Sequence, residues 1–310
     1  MADLKSKANI ESVGDAARSD LKNGTAGTPN LNWSAISHDY LRHRPGYPKQ
    51  YFTLLRQLGI GSAGQDILDL GSGTGALAIP FAGQGARVTA VDPSEGQIRA
   101  QKLAALDAGV KIKFKVGHAE KTGLPDHSFD AITASMCWTY FDVEQMKVEV
   151  PRLLRPGGLL LVSTLIWDRW EEGIFRQTLE LIGKYNVEAR RRQRRWDKDV
   201  VPKWSRDWLK LKTFHEYQIN VPFSRESWRG RIRACRWIGP ALTREQTEAF
   251  DREHAALLER IAPARFAIPH KITIRIFVNA NCGMTRQRGL NKKGAKFLSA
   301  DFADRRRLKL

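Results

Sequence analysis

At 310 residues, 42% of them hydrophobic and 27% charged, the chain can bury one sizeable α/β domain with appendages, or at most two small domains. No apolar run reaches the length of a membrane span, and Met1-Ala2-Asp3-Leu4-Lys5 lacks a signal-peptide core, so no membrane partner is expected. The three cysteines, Cys137, Cys235 and Cys282, form no metal-ligand spacing and are odd in number. That argues against a disulfide framework and predicts a reducing, cytoplasmic location with no metal.

The formal net charge of +18 is concentrated in Arg190-Arg191-Arg192, Arg194 and Arg195, and in a tail carrying Lys292, Lys293, Lys296 and Arg305-Arg306-Arg307. Such a balance attracts RNA or anionic substrates, or belongs to a solvated helix face and an unstructured tail. Neither run spaces aromatics as a stacking platform, which favours the second reading.

In chain order, residues 1–32 are polar and include Gly24-Thr25-Ala26-Gly27-Thr28-Pro29, which predicts a flexible leader with order beginning near Trp33. A helix follows with Tyr51, Leu54, Leu55 and Leu58 on one face. Ahead of it, Tyr40 and Arg44 stand four apart and project together from a helical turn; Arg44 is suited to clamping a carboxylate.

The segment Asp66-Ile67-Leu68-Asp69-Leu70-Gly71-Ser72-Gly73-Thr74-Gly75-Ala76 reads as an apolar strand, a glycine turn and the opening of a helix. Glycine accepts the positive φ of such a turn and lets a ligand lie on the backbone. The helix then turns its free N–H groups toward that ligand. Gly71, Gly73 and Ala76, with Asp92 about 20 residues on, fit a loose dinucleotide fingerprint. Asp69 and Gly75 favour a different nucleoside: a carboxylate near the strand mouth suits an α-ammonium, and a third glycine suits an amino-acid tail.

At these residues the sequence resembles the class I S-adenosylmethionine-dependent methyltransferases, whose first motif has the form of Asp69-Leu70-Gly71-Ser72-Gly73-Thr74-Gly75. Tyr40, Arg44, Pro45, Tyr47 and Pro48 are similar to the element that precedes that motif, and covers the cofactor, in the small-molecule enzymes of the type 11, trans-aconitate methyltransferase-like branch. The resemblance implies a Rossmann-like, doubly wound seven-stranded α/β sheet, mostly parallel with an antiparallel last strand, and S-adenosyl-L-methionine as cofactor.

Arg87–Val91 is a second strand. At its end Asp92 is placed for the ribose hydroxyls, although an acid there is also a common helix cap. Pro93, Ser94 and Gln97 follow it, with Ser94 able to do the capping instead. Lys111–Val116 alternates as an edge strand. The loop after it covers the adenine in the methyltransferases; His118 stands where many relatives have Asp, which leaves the Ala119 backbone and Glu120. Phe129–Ser135 is the fourth strand, with Ser135 among the expected cofactor contacts. Ser135-Met136-Cys137-Trp138 is not the motif of nucleic-acid amino methylation; it is similar to the small-molecule branch, in which an aromatic floors the substrate pocket. Trp138, Tyr140 and Trp167 are the expected pocket residues, with core packing the alternative for Trp138. A helix over Val143–Leu154 ends at Arg155-Pro156-Gly157-Gly158, and the strand Leu159–Thr164 follows.

Tryptophans then cluster: Trp167, Trp170, Trp196, Trp204, Trp208, Trp228 and Trp237 line an aromatic cavity, glue a helical cap to the sheet, or do both. Within this region Thr213–Ile219 alternates as a strand, and Glu226–Arg233 and Thr243–Ile261 are predicted helices. Lys271–Val278 is the expected antiparallel partner. The resulting division is a leader (1–32), a methyltransferase domain (33–281) with cap insertions at about 166–211 and 222–268, and a basic tail (282–310).

The predicted activity is methyl transfer to a small-molecule acceptor. Candidates for a general base, if the nucleophile needs one, are His38, His43, Tyr140 and Asp168. A nucleic-acid methyltransferase (supported by charge alone), a NAD-dependent oxidoreductase and a fold-retaining binding protein are the rival readings. Substrate identity and oligomeric state are not encoded legibly.

Overall fold

A computed structural model describes residues 33–168, 173–192 and 199–279. The leader 1–32, the tail 282–310, Cys282, Trp170, Trp196, Arg194 and Arg195 lie outside them, as do the side chains of His38 and Arg190–Arg192.

Seven strands form one sheet in the order β3-β2-β1-β4-β5-β7-β6. They are β1 (Asp66–Leu70), β2 (Arg87–Asp92), β3 (Ile112–Val116), β4 (Phe129–Ser135), β5 (Leu154–Trp167), β6 (Leu209–Ser224) and β7 (Arg265–Asn279). β1 to β5 pair in parallel, and β7 runs antiparallel to both β5 and β6. This is the doubly wound sheet with one reversed strand that the sequence implied.

The helices are α1 (Ser37–His43), α2 (Lys49–Gln57), α3 (Ala78–Gly83), α4 (Glu95–Asp107), α5 (Val143–Leu153), α6 (Gly173–Tyr185), α7 (Val187–Arg192), α8 (Arg225–Arg233) and α9 (Arg244–Ile261). Short 3₁₀ turns occur at Trp33–Ile36, Ala119–Lys121, Trp138–Tyr140 and Lys203–Ser205. Pro80 falls in the first turn of α3, where a missing N–H costs nothing, so the helix starts late instead of kinking. Side-chain caps set other starts: Ser94 accepts the Gln97 N–H, and Ser224 and Thr243 close capping boxes.

Strand alternation sorts the core. Ile67 packs on one face of the sheet with Tyr51, Leu55 and Phe81, whereas Leu68 and Leu70 pack on the other with Met146 and Val150. A third cluster belongs to the cap, where Trp228 is fully buried among Phe175, Phe223 and Phe250 and donates from Nε1 to Thr178 Oγ1 at 3.1 Å.

The structure departs from expectation in strand length. β6 and β7 stay paired from Leu209↔Asn279 to Ser224↔Arg265, so the sheet runs past the predicted strands and into the cap as a two-stranded ribbon. Its far end carries α8 and α9. β5 likewise begins at Leu154 and reaches Trp167. α6 and α7 appear where only tryptophan clustering marked the sequence.

α1 is fastened to the cap. Arg233 donates to both Asp39 oxygens at 2.8 and 3.1 Å and to Asp251 at 2.9 Å. A Cβ on Gly230 of α8 would lie 2.1 Å from the His43 ring.

Candidate active site

The carboxyl ends of β1, β2 and β4 meet at a glycine corner, where an open parallel sheet binds its ligands. Gly71, Gly73 and Gly75 all hold positive φ, at 60°, 55° and 95°. A Cβ on Gly71 would lie 2.7 Å from Cys137 Cβ; the Cys137 thiol donates to the Leu70 carbonyl at 3.1 Å. Gly71 is therefore required by the β4 exit pressed against it. Gly73 differs: its nearest neighbours would be Gln97 and Tyr40 at 3.8 Å, which leaves space for a ligand. A Cβ on Gly75 would meet Ile79 and Gln101 at 2.8 and 2.9 Å, so this glycine serves the turn and faces away from the cavity.

Asp92 Oδ2 accepts the Gly73 N–H and Oδ1 the Ser94 N–H, each at 2.9 Å. Burial raises its pKa. Asp69 is not at an open strand mouth. It is 2% exposed and accepts from Thr133 Oγ1 at 2.7 Å, and burial, then the Asp92 charge, pushes its pKa up to about 7. Its side chain lines a small recess shared with Arg44, Ser72, Thr74 and Met136.

That recess adjoins a cavity of about 430 Å³. Gly71, Gly73, Asp92, Pro93, Gln97 and Ala119 line the cavity, and so do Trp138, Tyr140, Trp167 and Trp237. Tyr40, Arg44, His118, Glu120 and Ser135 also line it. The Arg44 guanidinium lies 4.7 Å from the Tyr40 ring centre. Ser135 is bonded to Tyr47, hydroxyl to hydroxyl, at 2.5 Å. Glu120 Oε1 accepts the Asp142 N–H at 3.0 Å, which ties its carboxylate to the start of α5. Ser94 is the α4 cap and, like Gly75, does not line the cavity.

Among the candidate bases whose side chains are described, His43 and Asp168 do not line the cavity and Tyr140 does. Burial raises its phenol pKa, so it is a neutral donor at pH 7; the Arg236 guanidinium lies 5.0 Å from its ring centre. His43 is wedged between α1 and α8, away from the cavity, and burial lowers its pKa. Asp168 bonds to Gln218 beyond the end of β5, also outside. Trp138 packs on Trp204 at 4.5 Å between centroids and also lines the cavity.

The sequence did not mark Trp33, Met136, Arg231 or Arg236, which also line the cavity. Trp33 sets its ring edge-on to Tyr40 and Tyr140, at 6.4 and 6.1 Å, and accepts the Gln97 side-chain amide at 3.1 Å. Met136 holds φ at 64°, a conformation a bulky residue rarely takes outside functional sites.

The residues fit S-adenosylmethionine on structural grounds: a roomy glycine at position 73, a buried Gln97 Oε1 with no hydrogen-bond partner, and Arg44 and Asp69 sharing one recess. Sheet order and cavity position together define the class I methyltransferase fold. Residues 68–162 match the family model described as a methyltransferase domain. An uncharacterised methyltransferase of Mycobacterium tuberculosis is 34% identical over 157 residues, which are 50% of this chain and 60% of that relative. A ubiquinone biosynthesis O-methyltransferase of Azorhizobium caulinodans is 31% identical over 142 residues, 45% of this chain and 54% of the relative. The chain thus spans little more than half the length of these relatives. A solved structure from Anaeromyxobacter dehalogenans, described as a type II methyltransferase, has a TM-score of 0.50 at 23% identity over 76% of this chain and 96% of that one, which shows the shared fold. Residues 68–162 thus resemble a methyltransferase domain in sequence, and the sheet around them shares the fold of a solved methyltransferase. Of the two cofactor readings of the glycine loop, S-adenosylmethionine is the one supported.

Proposed function

We propose that this protein transfers the methyl group of S-adenosylmethionine to a small-molecule acceptor bound beneath the cap. One observation carries this reading: the glycine corner and the aromatic wall of Trp138, Tyr140, Trp167 and Trp237 line one cavity. The resemblance to a ubiquinone biosynthesis O-methyltransferase supports a small acceptor.

When bound, the cofactor would supply an electrophilic sulfonium methyl to an acceptor lone pair, with the C–S electron pair leaving on sulfur. Asp92 would hold the ribose, and the space left beside Gly73 would receive the amino-acid tail. Arg44 and Asp69 would meet that tail's carboxylate and ammonium, and Ala119 would cover the adenine. The aromatic wall excludes water and holds the acceptor for a direct displacement, a positioning effect that supplies most of such an enzyme's rate. No base is assigned, because the neutral Tyr140 phenol orients an acceptor better than it deprotonates one. An anionic nucleophile needs none.

Among the described residues no helix is long and apolar enough to cross a membrane. The free thiols Cys137 and Cys235 suit the reducing, cytoplasmic setting that belongs to the same proposal.

Calorimetry tests the reading. S-adenosylhomocysteine is expected to bind at micromolar concentration and NADH not at all. Binding of NADH alone, or of neither, would overturn it.

A further inference from the structure

Helix α8 carries arginines on two faces. Arg229 and Arg233 are paired with Asp251 and Asp39 at 2.6 to 2.9 Å. Arg231, between them in sequence, turns the opposite way into the cavity. It is 5% exposed, and its Nε and Nη1 are buried without a hydrogen-bond partner. Its guanidinium lies 4.6 Å from the Trp167 ring centre, and no carboxylate is within ion-pair distance of it among the described residues. Burial, then the Arg44 charge, lowers its pKa to about 10, so it stays protonated at neutral pH in an apolar and like-charged setting. A buried cation left this way is costly unless an anion joins it.

The cofactor does not supply that anion. It has one carboxylate, and Arg44 lines both the main cavity and the small recess at Asp69, whereas Arg231 and Arg236 line only the main cavity. The bound sulfonium adds positive charge to the same space. Resting on the methyl-transfer reading above, we propose that the acceptor is an oxyanion, above all a carboxylate on an aromatic or apolar body, and that Arg231 receives it. Trp138, Trp167 and Trp237 enclose the apolar body, and Arg236, stacked on Tyr140, faces the same charge.

The test titrates the full chain, saturated with S-adenosylhomocysteine, with phenylacetate, trans-cinnamate and indole-3-acetate, each against its carboxamide, and with inorganic sulfate and phosphate. At least one acid is expected to bind tenfold or more tightly than its amide. Arg231→Gln should abolish that preference and leave S-adenosylhomocysteine affinity within about twofold, with Arg231→Lys restoring part of it. Binding of sulfate or phosphate without a carboxylate preference keeps the oxyanion site and reassigns its source. Equal binding of acids and amides with no response to either inorganic ion overturns the proposal. So does a tenfold loss of S-adenosylhomocysteine affinity in Arg231→Gln, which would make Arg231 a cofactor residue.

If the glutamine variant does not fold, phenylglyoxal labelling of the wild type decides. Arg231 should be protected by the anions that bind, and an unchanged labelling rate overturns the assignment. Failure of the wild type to bind S-adenosylhomocysteine would overturn the methyl-transfer reading instead, and the anion titrations, repeated without it, still report on Arg231.

Discussion

Asp92 Oδ2 accepts the Gly73 N–H at 2.9 Å, so the carboxylate proposed to hold the ribose also shapes the loop that receives the amino-acid tail. Asp92→Ala removes both effects. It should weaken S-adenosylhomocysteine binding by about 1–3 kcal/mol, roughly tenfold to a hundredfold. Wild-type affinity in this variant, measured by calorimetry, would displace the proposed ribose site.

Gly71 and Gly73 should separate stability from binding. A side chain at 71 collides with Cys137 at 2.7 Å, whereas one at 73 meets nothing closer than 3.8 Å. Gly71→Val is therefore expected to unfold the protein or cost it several kcal/mol. Gly73→Val should stay folded, at about 1–2 kcal/mol for its positive φ, and lose S-adenosylhomocysteine binding. Urea melts alongside calorimetry distinguish the two.

Asp69 predicts a pH dependence of a definite sign. Its folded pKa of about 7 lies above its ordinary value of 3.8. Between these values the native state keeps a proton that the unfolded chain has lost, so stability falls as pH rises across that window and levels off above it. Asp69→Asn should remove this slope from urea melts recorded between pH 4 and 8. An ammonium beside Asp69 would lower its pKa, so S-adenosylhomocysteine binding near pH 6 should release protons, seen by calorimetry in buffers of different ionisation enthalpy. A slope unchanged by Asp69→Asn would show that another group carries it.

Gly230→Ala should destabilise the protein by about 1–3 kcal/mol, because the new methyl would sit 2.1 Å from the His43 ring. α1 ends beside Arg44, so displacing it should also lower S-adenosylhomocysteine affinity. His43→Ala in the same chain should recover most of the stability, and a double-mutant cycle measures that coupling. Strict additivity of the two changes would argue that the contact is unimportant.

What the sequence revealed was local. The glycine corner and the strand-end acid Asp92 each lie within a few consecutive residues, and the apolar runs at β1, β2 and β4 with the alternation at β3 placed those strands nearly as observed; the expected glycine turn at Arg155–Gly158 lies instead within β5. Non-local relationships were hidden. That Arg231 faces Trp167, or that Asp69 is bonded to Thr133 in a small recess and not set at an open mouth, depends on which segments the topology brings together. Single residues such as His43 and Asp168 carried no periodic signal to say which way they pointed. Trp33 stood next to a polar stretch and gave no hint of its two tyrosine partners. α6 does carry a local signal, since Phe175, Leu179 and Ile182 recur at helical spacing.

The ribbon of β6 and β7 has a kinetic consequence. β7 joins the sheet through pairs such as Leu159↔Val278 and Trp167↔His270, which close loops of roughly 100 residues or more before any contact rewards them. The ribbon's own far end closes a shorter loop, Ser224↔Arg265, so the cap can take shape before it docks. The cavity needs both halves, and its lining should therefore be completed last, when β7 pairs with β5.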